Sequence, residues 1–287
     1  MTFNYKLPAT LIGTVAVMMV QLQVSTALSP PEINKIAKEI TVLIDGSNPG
    51  SGVIIANKGN TYYVLTAKHV VEIPDEYEVV TADGKRYQLN YKTIKKLPNV
   101  DLAVLEFNSN SSYNTARLAN SDRATEGSAV YIAGWPNPGQ EIKNRIYQIT
   151  DGRISGRPEP PLRDGYALIY TNITRAGMSG GPVLDENGLV VGIHGRAEAE
   201  ADVTNVNQSG PSGGPKIGFN LGIPINSFFK LAPQAGVDLG LKAESAPPTV
   251  QTPTPSYPAS PGTIPSAPPV IRPSTSNDAP ICAGRSC

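Results

Sequence analysis

The chain has 287 residues, room for about two domains and a sizeable core. Its 24 Lys and Arg balance its 24 Asp and Glu, so the charge pattern excludes an electrostatic case for a nucleic-acid or anionic-membrane partner. Aromatic residues make up 6% of the chain, against 27 glycines and 27 prolines, a balance that suits short strands and many turns.

Residues 1–27 read as a secretory signal. Lys6 supplies the positive start, residues 7–20 form an apolar run of signal-like length, and Ser25-Thr26-Ala27 offers small residues for cleavage before Leu28. The competing reading is a retained membrane anchor. The run is short for a span of about 20 residues, and Gln21 and Gln23 interrupt its end. The expected location is outside the cytoplasm (periplasm, lumen or medium), with no stable membrane insertion after cleavage. Both cysteines, Cys282 and Cys287, lie at the far end of the chain. They can close a small loop, pair between chains or stay free.

A folded region is expected over residues 28–242. Its first strands are read between residues 36 and 66: the β-branched run Ile40-Thr41-Val42-Leu43-Ile44, a break at Gly50-Ser51-Gly52, then Val53-Ile54-Ile55-Ala56. A turn at Asn57-Lys58-Gly59-Asn60 leads to Thr61-Tyr62-Tyr63-Val64-Leu65-Thr66. Residues 79–89 read as a hairpin around Asp83-Gly84, and residues 101–107 as a further strand. The polar connection Ser121-Asp122-Arg123-Ala124-Thr125-Glu126-Gly127 divides two barrels, one over about 36–121 and one over about 126–232. In the second, strands are expected at 129–133, 146–154, 166–172, 182–184, 189–194 and 217–225. Residues 196–216 form a long loop, and a helix starts at 226–231. From residue 243 the composition changes. Eleven of the last 45 residues are proline, and such a tail buries too little apolar surface to offset its ordering entropy, so it is expected to be disordered.

The candidate chemistry lies in three short stretches. In Gly177-Met178-Ser179-Gly180-Gly181-Pro182 a serine stands among glycines. The N–H groups of Gly177 and Ser179 can converge on one point there, as a tetrahedral oxyanion needs. A serine hydroxyl is a weak nucleophile and requires a base and an orienting acid. His69, one of only two histidines, follows a strand-like run in Thr66-Ala67-Lys68-His69, and Asp101 opens Asp101-Leu102-Ala103-Val104. Asp75 and Asp83 are weaker substitutes for the acid. The order is His, Asp, Ser, with spacings of 101 − 69 = 32 and 179 − 101 = 78 residues.

These three motifs resemble those of trypsin-like serine proteases, in the bacterial branch that includes HtrA-type proteases and glutamyl endopeptidases. The resemblance spans residues 36–231. It implies an all-β chymotrypsin-like double antiparallel β-barrel and a serine endopeptidase that takes protein or peptide substrates and needs no cofactor. In that scheme His69, Asp101 and Ser179 are the catalytic triad, Gly177 and Ser179 the oxyanion hole. Three positions depart from animal relatives. Met178 replaces the Asp that receives a new N-terminal amine, Val70 replaces a disulfide cysteine, and Lys68 stands where small residues are common. A PDZ domain of the HtrA kind does not fit the Pro-rich tail.

For specificity, trypsin carries an Asp six residues before its serine. Ile173 holds that place here, which disfavours Lys and Arg. Thr174 and His194 match the threonine and histidine of glutamyl endopeptidases, which implies a possible preference for Glu before the scissile bond. Gly195, Arg196 and Ala197 would pair with the substrate backbone. Glu198, Glu200 and Asp202 follow closely and oppose an acidic substrate if they line the rim. The rival from another class is a catalytically silent homologue that serves as a binding module. An esterase is disfavoured, because the G-x-S-x-G spacing of α/β-hydrolases is missing. No metal-ligand cluster is evident, and the oligomeric state stays open.

Overall fold

The structure, a computed structural model, describes residues 27–199 and 216–244. Residues 1–26, 200–215 and 245–287 lie outside the described residues. They hold nearly all of the expected signal and tail, most of the expected long loop, and both cysteines.

The first element is a helix where strands were expected. In α1 (Pro30–Ile40), the Glu32 carboxylate accepts from the Ser29 backbone N–H at 2.8 Å and from the Ser29 hydroxyl at 2.6 Å. Pro30 and Pro31 occupy the first turn, where their missing N–H groups cost nothing. The helix signal Ser29-Pro30-Pro31-Glu32 was overshadowed by the β-branched run that follows, and β1 (Thr41–Asp45) begins only when α1 ends. Ile33, Ala37 and Ile40 form the buried helix face. They pack with Val53, Ile55 and Leu65 of the N-terminal half and with Ala133, Leu184 and Ile193 of the C-terminal half. The helix therefore sits on the seam between the two.

The N-terminal half is a curled antiparallel sheet in the order β5-β4-β1-β2-β3-β7-β6. Its remaining strands are β2 (Gly50–Lys58), β3 (Thr61–Ala67), β4 (Glu78–Val80), β5 (Arg86–Gln88), β6 (Lys95–Lys96) and β7 (Leu102–Asn108). Gly50-Ser51-Gly52 does not break the sheet, as expected from its glycines, but opens β2 in register with β1 (Ile44 opposite Gly50, Val42 opposite Gly52). The glycine is needed at position 52 because a Cβ there would lie 2.5 Å from Val64. No ladder joins the two edges of this sheet. Side chains close the gap instead: Tyr87 of β5 packs on Phe107 of β7 with ring centroids 4.8 Å apart, and its hydroxyl meets that of Tyr113 at 2.6 Å.

The C-terminal half closes fully, in the order β10-β13-β12-β11-β8-β9. Its strands are β8 (Ala129–Gly134), β9 (Gln148–Gly156), β10 (Leu168–Tyr170), β11 (Pro182–Leu184), β12 (Val190–Ala199) and β13 (Lys216–Pro224). β12 runs further than expected. Arg196 and Ala197 pair with Leu221 and Asn220 in the ladder rather than entering a loop. α2 (Ile225–Leu231) follows at once and buries Ile225 and Phe228 in the core shared with α1. The result is an all-β antiparallel architecture of two curled sheets, the second a closed barrel, and it matches the double barrel that the resemblance implied. Among the described residues no helix is long and apolar enough to cross a membrane.

Because α1 spans the seam, I33A should destabilise the protein by about 2–5 kcal/mol in urea unfolding, as a fully buried large-to-small change does. I73A, at a residue 64% exposed, should stay within about 0.5 kcal/mol. Similar small effects for both would show that the helix does not hold the seam.

Candidate active site

The N-terminal half presents His69. β3 ends at Ala67, and the chain enters a short 3-10 turn, Lys68–Val71, whose two valines are buried in that half's core. Burying Val70 and Val71 turns His69 outward, and its side chain is 39% exposed. β7 runs beside β3 with Leu102 opposite Ala67, so Asp101 arrives level with the histidine. Asp101 is buried, with 6% of the residue exposed. It meets His69 Nδ1 at 2.6 Å through Oδ2 and accepts from the His69 backbone N–H at 2.9 Å through Oδ1. Tyr166 donates its hydroxyl to Oδ2 at 2.5 Å. The Asp101 backbone is fixed as well, by Lys68 N–H on its carbonyl at 3.1 Å and by its own N–H on the Asp164 carbonyl at 2.9 Å.

Burial alone pushes the Asp101 carboxyl up, but the hydrogen bond and charge of His69, with the Tyr166 hydroxyl, outweigh it and hold the group below its ordinary value. Burial and the Asp101 charge push Tyr166 up, so it stays protonated and donates. Sequence reasoning did not single out Tyr166, and no motif marks it. Gly195 makes room for it, since a Cβ there would lie 2.2 Å from the Tyr166 hydroxyl. The Arg196 guanidinium covers the Tyr166 ring at 4.3 Å and reaches the Asp164 carboxylate at 3.4 Å.

The C-terminal half presents Ser179 on a loop that only glycine permits at two points. Gly177 has φ +94° and Gly180 φ +88°, and a Cβ at Gly180 would lie 2.1 Å from the Ser51 carbonyl oxygen. Successive peptides of the loop are pinned. Asn137 N–H binds the Ala176 carbonyl at 2.7 Å, the Ser51 hydroxyl binds the Gly177 carbonyl at 2.8 Å, and Gly181 N–H binds the Met178 carbonyl at 3.0 Å. The N–H groups of Gly177 and Ser179 donate to no acceptor among the described residues.

The Ser179 hydroxyl donates to the Gly195 carbonyl at 2.7 Å, not to His69. Gly50 nonetheless brings the two motifs close. A Cβ on it would meet Val70 at 2.5 Å on one side and the Ser179 carbonyl at 3.0 Å on the other. Met178 is buried in the apolar core of the second barrel, where an Asp would need a cationic partner. Lys68 is half-buried.

The expected specificity residues are divided. Thr174 donates its hydroxyl to Asn220 Oδ1, and Asn220 in turn donates to the Asn172 carbonyl at 2.5 Å. Ile173, Thr174, Ala197, Phe219 and Asn220 line a cavity of about 180 Å³ whose described lining carries no charged side chain. His194 lies elsewhere. It is 2% exposed, and its Nδ1 meets the Tyr170 hydroxyl at 2.7 Å inside the barrel. Thr174 and His194 are thus tied to different partners. Asn220 was missed because it sits in a distant strand that only the fold brings beside Thr174. Glu198 is half-buried near the end of β12. Glu200 and Asp202 lie outside the described residues. Among the described residues no cluster of side chains could hold a metal ion.

Comparison with known proteins places this geometry. The chain is 29% identical over 173 residues to a serine protease Do-like HtrA of Bacillus subtilis (strain 168), covering 58% of this chain and 37% of that protein. It is 34% identical over 147 residues to a probable periplasmic serine endoprotease DegP-like of Pseudomonas fulva (strain 12-X), covering 50% of this chain and 28% of that one. The chain therefore spans well under half the length of these curated relatives. A solved structure of an HtrA-type protease, AlgW, with tripeptide shares the fold at a TM-score of 0.56 and 22% identity, over 75% of this chain and 65% of that one. A family model, the trypsin-like peptidase domain, matches residues 50–193, half of the 287 and the stretch that contains His69, Asp101 and Ser179, and the chain belongs to that family.

Proposed function

We propose that the chain is an exported serine endopeptidase whose catalytic triad is His69, Asp101 and Ser179. The observation that carries this reading is the buried Asp101 carboxylate on His69 Nδ1 at 2.6 Å. A carboxylate there selects the tautomer with the proton on Nδ1 and leaves the other ring nitrogen as the base. Ser179 attacks the scissile carbonyl. His69 takes its proton and returns it to the leaving amine, while Asp101 stabilises the imidazolium. The N–H groups of Gly177 and Ser179 receive the oxyanion, and the backbone of Gly195, Arg196 and Ala197 pairs with the substrate. The scheme requires no cofactor. Export is supported by the signal-like residues 1–27 and by the periplasmic names of relatives.

The cavity beside Thr174 and Asn220 is the candidate pocket for the residue before the scissile bond. Its uncharged described lining gives Lys and Arg no counter-ion. The second amide N–H of Asn220, and the Thr174 hydroxyl once it turns from Asn220 Oδ1, would give a carboxylate two donors, which supports Glu. Small apolar residues are the competing choice, favoured by Ile173 and Phe219.

A second reading, a catalytically silent binding module, is favoured by one observation: the Ser179 hydroxyl is engaged by Gly195 rather than by His69. Such misalignment is common in unliganded active sites, and rotation about the Ser179 side-chain bond changes its partner.

Cleavage of a peptide library separates these readings. The wild type should hydrolyse peptide bonds, with Glu favoured and Lys and Arg disfavoured before the cut. S179A or H69A should lower kcat by roughly 10^4-fold, since triad members act as a unit, while substrate binding persists. Near-normal turnover in S179A sinks the nucleophile. Cleavage that ignores Glu sinks the finer preference alone.

Stability should also report on Asp101. Its carboxyl is held below the ordinary value of about 3.9, so the unfolded chain binds this proton first as pH falls. The stabilisation is fully present above the unfolded value and is lost as pH drops through the folded one. The stability gap between wild type and D101N should be flat above about pH 5 and shrink below about pH 4. A gap that does not change with pH contradicts the assignment of Asp101 as a buried, ionised partner of His69.

A further inference from the structure

Ser51 is the second residue of β2, in the N-terminal half, yet all three of its polar atoms are committed, in four hydrogen bonds, around the serine loop. Its backbone N–H donates to the Ser179 carbonyl at 2.7 Å, and its carbonyl accepts from the Thr66 hydroxyl at 2.7 Å. Its hydroxyl accepts from the Trp135 backbone N–H at 2.8 Å and donates to the Gly177 carbonyl at 2.8 Å. Trp135 N–H is a donor only, so the single hydroxyl proton of Ser51 has one place to go, the Gly177 carbonyl. The residue is fully buried, so bulk solvent does not reach that bond.

We propose that Ser51 is a positioning residue for the oxyanion site. Reaching across from the other barrel, its hydroxyl holds the Gly177–Met178 peptide so that the N–H groups of Gly177 and Ser179 share one focus. The need for such a pin follows from Gly177. At φ +94° and without a Cβ, the loop can take other backbone orientations at little cost. The flanking peptides are held from within the C-terminal half, by Asn137 on Ala176 and by Gly181 on Met178. The middle peptide is held within that half by Met178 N–H on the Arg175 carbonyl at 3.1 Å, and Ser51 holds its carbonyl end. If that peptide turns, Met178 and Ser179 turn with it and the two N–H groups diverge. Space around Ser51 is tight on both sides: a Cβ at Gly134 would come 2.8 Å from its hydroxyl oxygen, and one at Gly180 would come 2.1 Å from its carbonyl oxygen.

The inference rests on the endopeptidase reading, and its test keeps the two apart. S51A, S51C and S179A are compared with wild type on the preferred library peptide. Each is also titrated with the matching peptide aldehyde, whose hemiacetal oxygen occupies the oxyanion position. S51A should lower kcat about 10-fold or more, part of the roughly 10²–10³-fold loss seen when an oxyanion donor is removed outright. KM should stay within about 3-fold, and aldehyde affinity should fall in step with kcat. S51C, with a thiol that donates weakly, should fall between, and it carries the test if S51A does not fold. An unchanged kcat, or a loss that appears in KM while aldehyde affinity holds, overturns the role of Ser51. An active S179A overturns the endopeptidase reading and this inference with it. An inactive S179A beside a fully active S51A overturns the inference alone.

Discussion

The buried Asp101 carboxylate is the constraint on which the site depends. A charge on a residue 6% exposed is costly unless it is paired and hydrogen-bonded. Here the partners come from separate elements: the 3-10 turn after β3 gives the His69 ring and backbone N–H, and the segment before β10 gives Tyr166. Meeting that demand fixes the histidine ring, the start of β7 and the approach of the two halves at once. Removing any partner leaves a buried anion short of a donor, the more expensive side of hydrogen-bond energetics.

The two barrels divide the work. The N-terminal half holds His69 and Asp101, the proposed base and its acid, at the ends of packed strands. The C-terminal half holds Ser179, the proposed nucleophile, on a loop that only glycines at positions 177 and 180 permit. Loops of this kind lose definition unless other groups hold them, and here the other barrel contributes through Ser51. α1 reinforces the same junction from the outside, with Ile33, Ala37 and Ile40 packed against strands of both halves.

How much was legible beforehand follows from the range of each interaction. Most strands and α2 were readable, because alternation, β-branched runs and turn residues act locally. The stretches holding His69, Asp101 and Ser179 were readable because each is a short local motif beside a strand-like run, and His69 is one of only two histidines. α1 was missed although its Ser29-Pro30-Pro31-Glu32 signal was present, since the apolar run after it fits a strand equally well. Tyr166, Ser51 and Asn220 were not legible. Tyr166 lies 65 residues from Asp101 and Ser51 126 residues from Gly177 along the chain, and nothing in their neighbourhoods marks a distant partner. The Tyr170 partner of His194 was not legible for the same reason. A strand-end histidine can face the pocket or the barrel interior, and only the register of β12 against its neighbours turns it toward Tyr170.

The central claim is that Ser179 is a nucleophile activated by His69 and Asp101. Incubation of the folded protein with a fluorophosphonate, followed by peptide mass mapping, tests it most directly. The account predicts one covalent adduct, on Ser179, that is lost in H69A and in protein unfolded beforehand. Folded wild-type protein that stays unlabelled, or label spread over other serines at the same rate, would contradict it and favour a silent binding module.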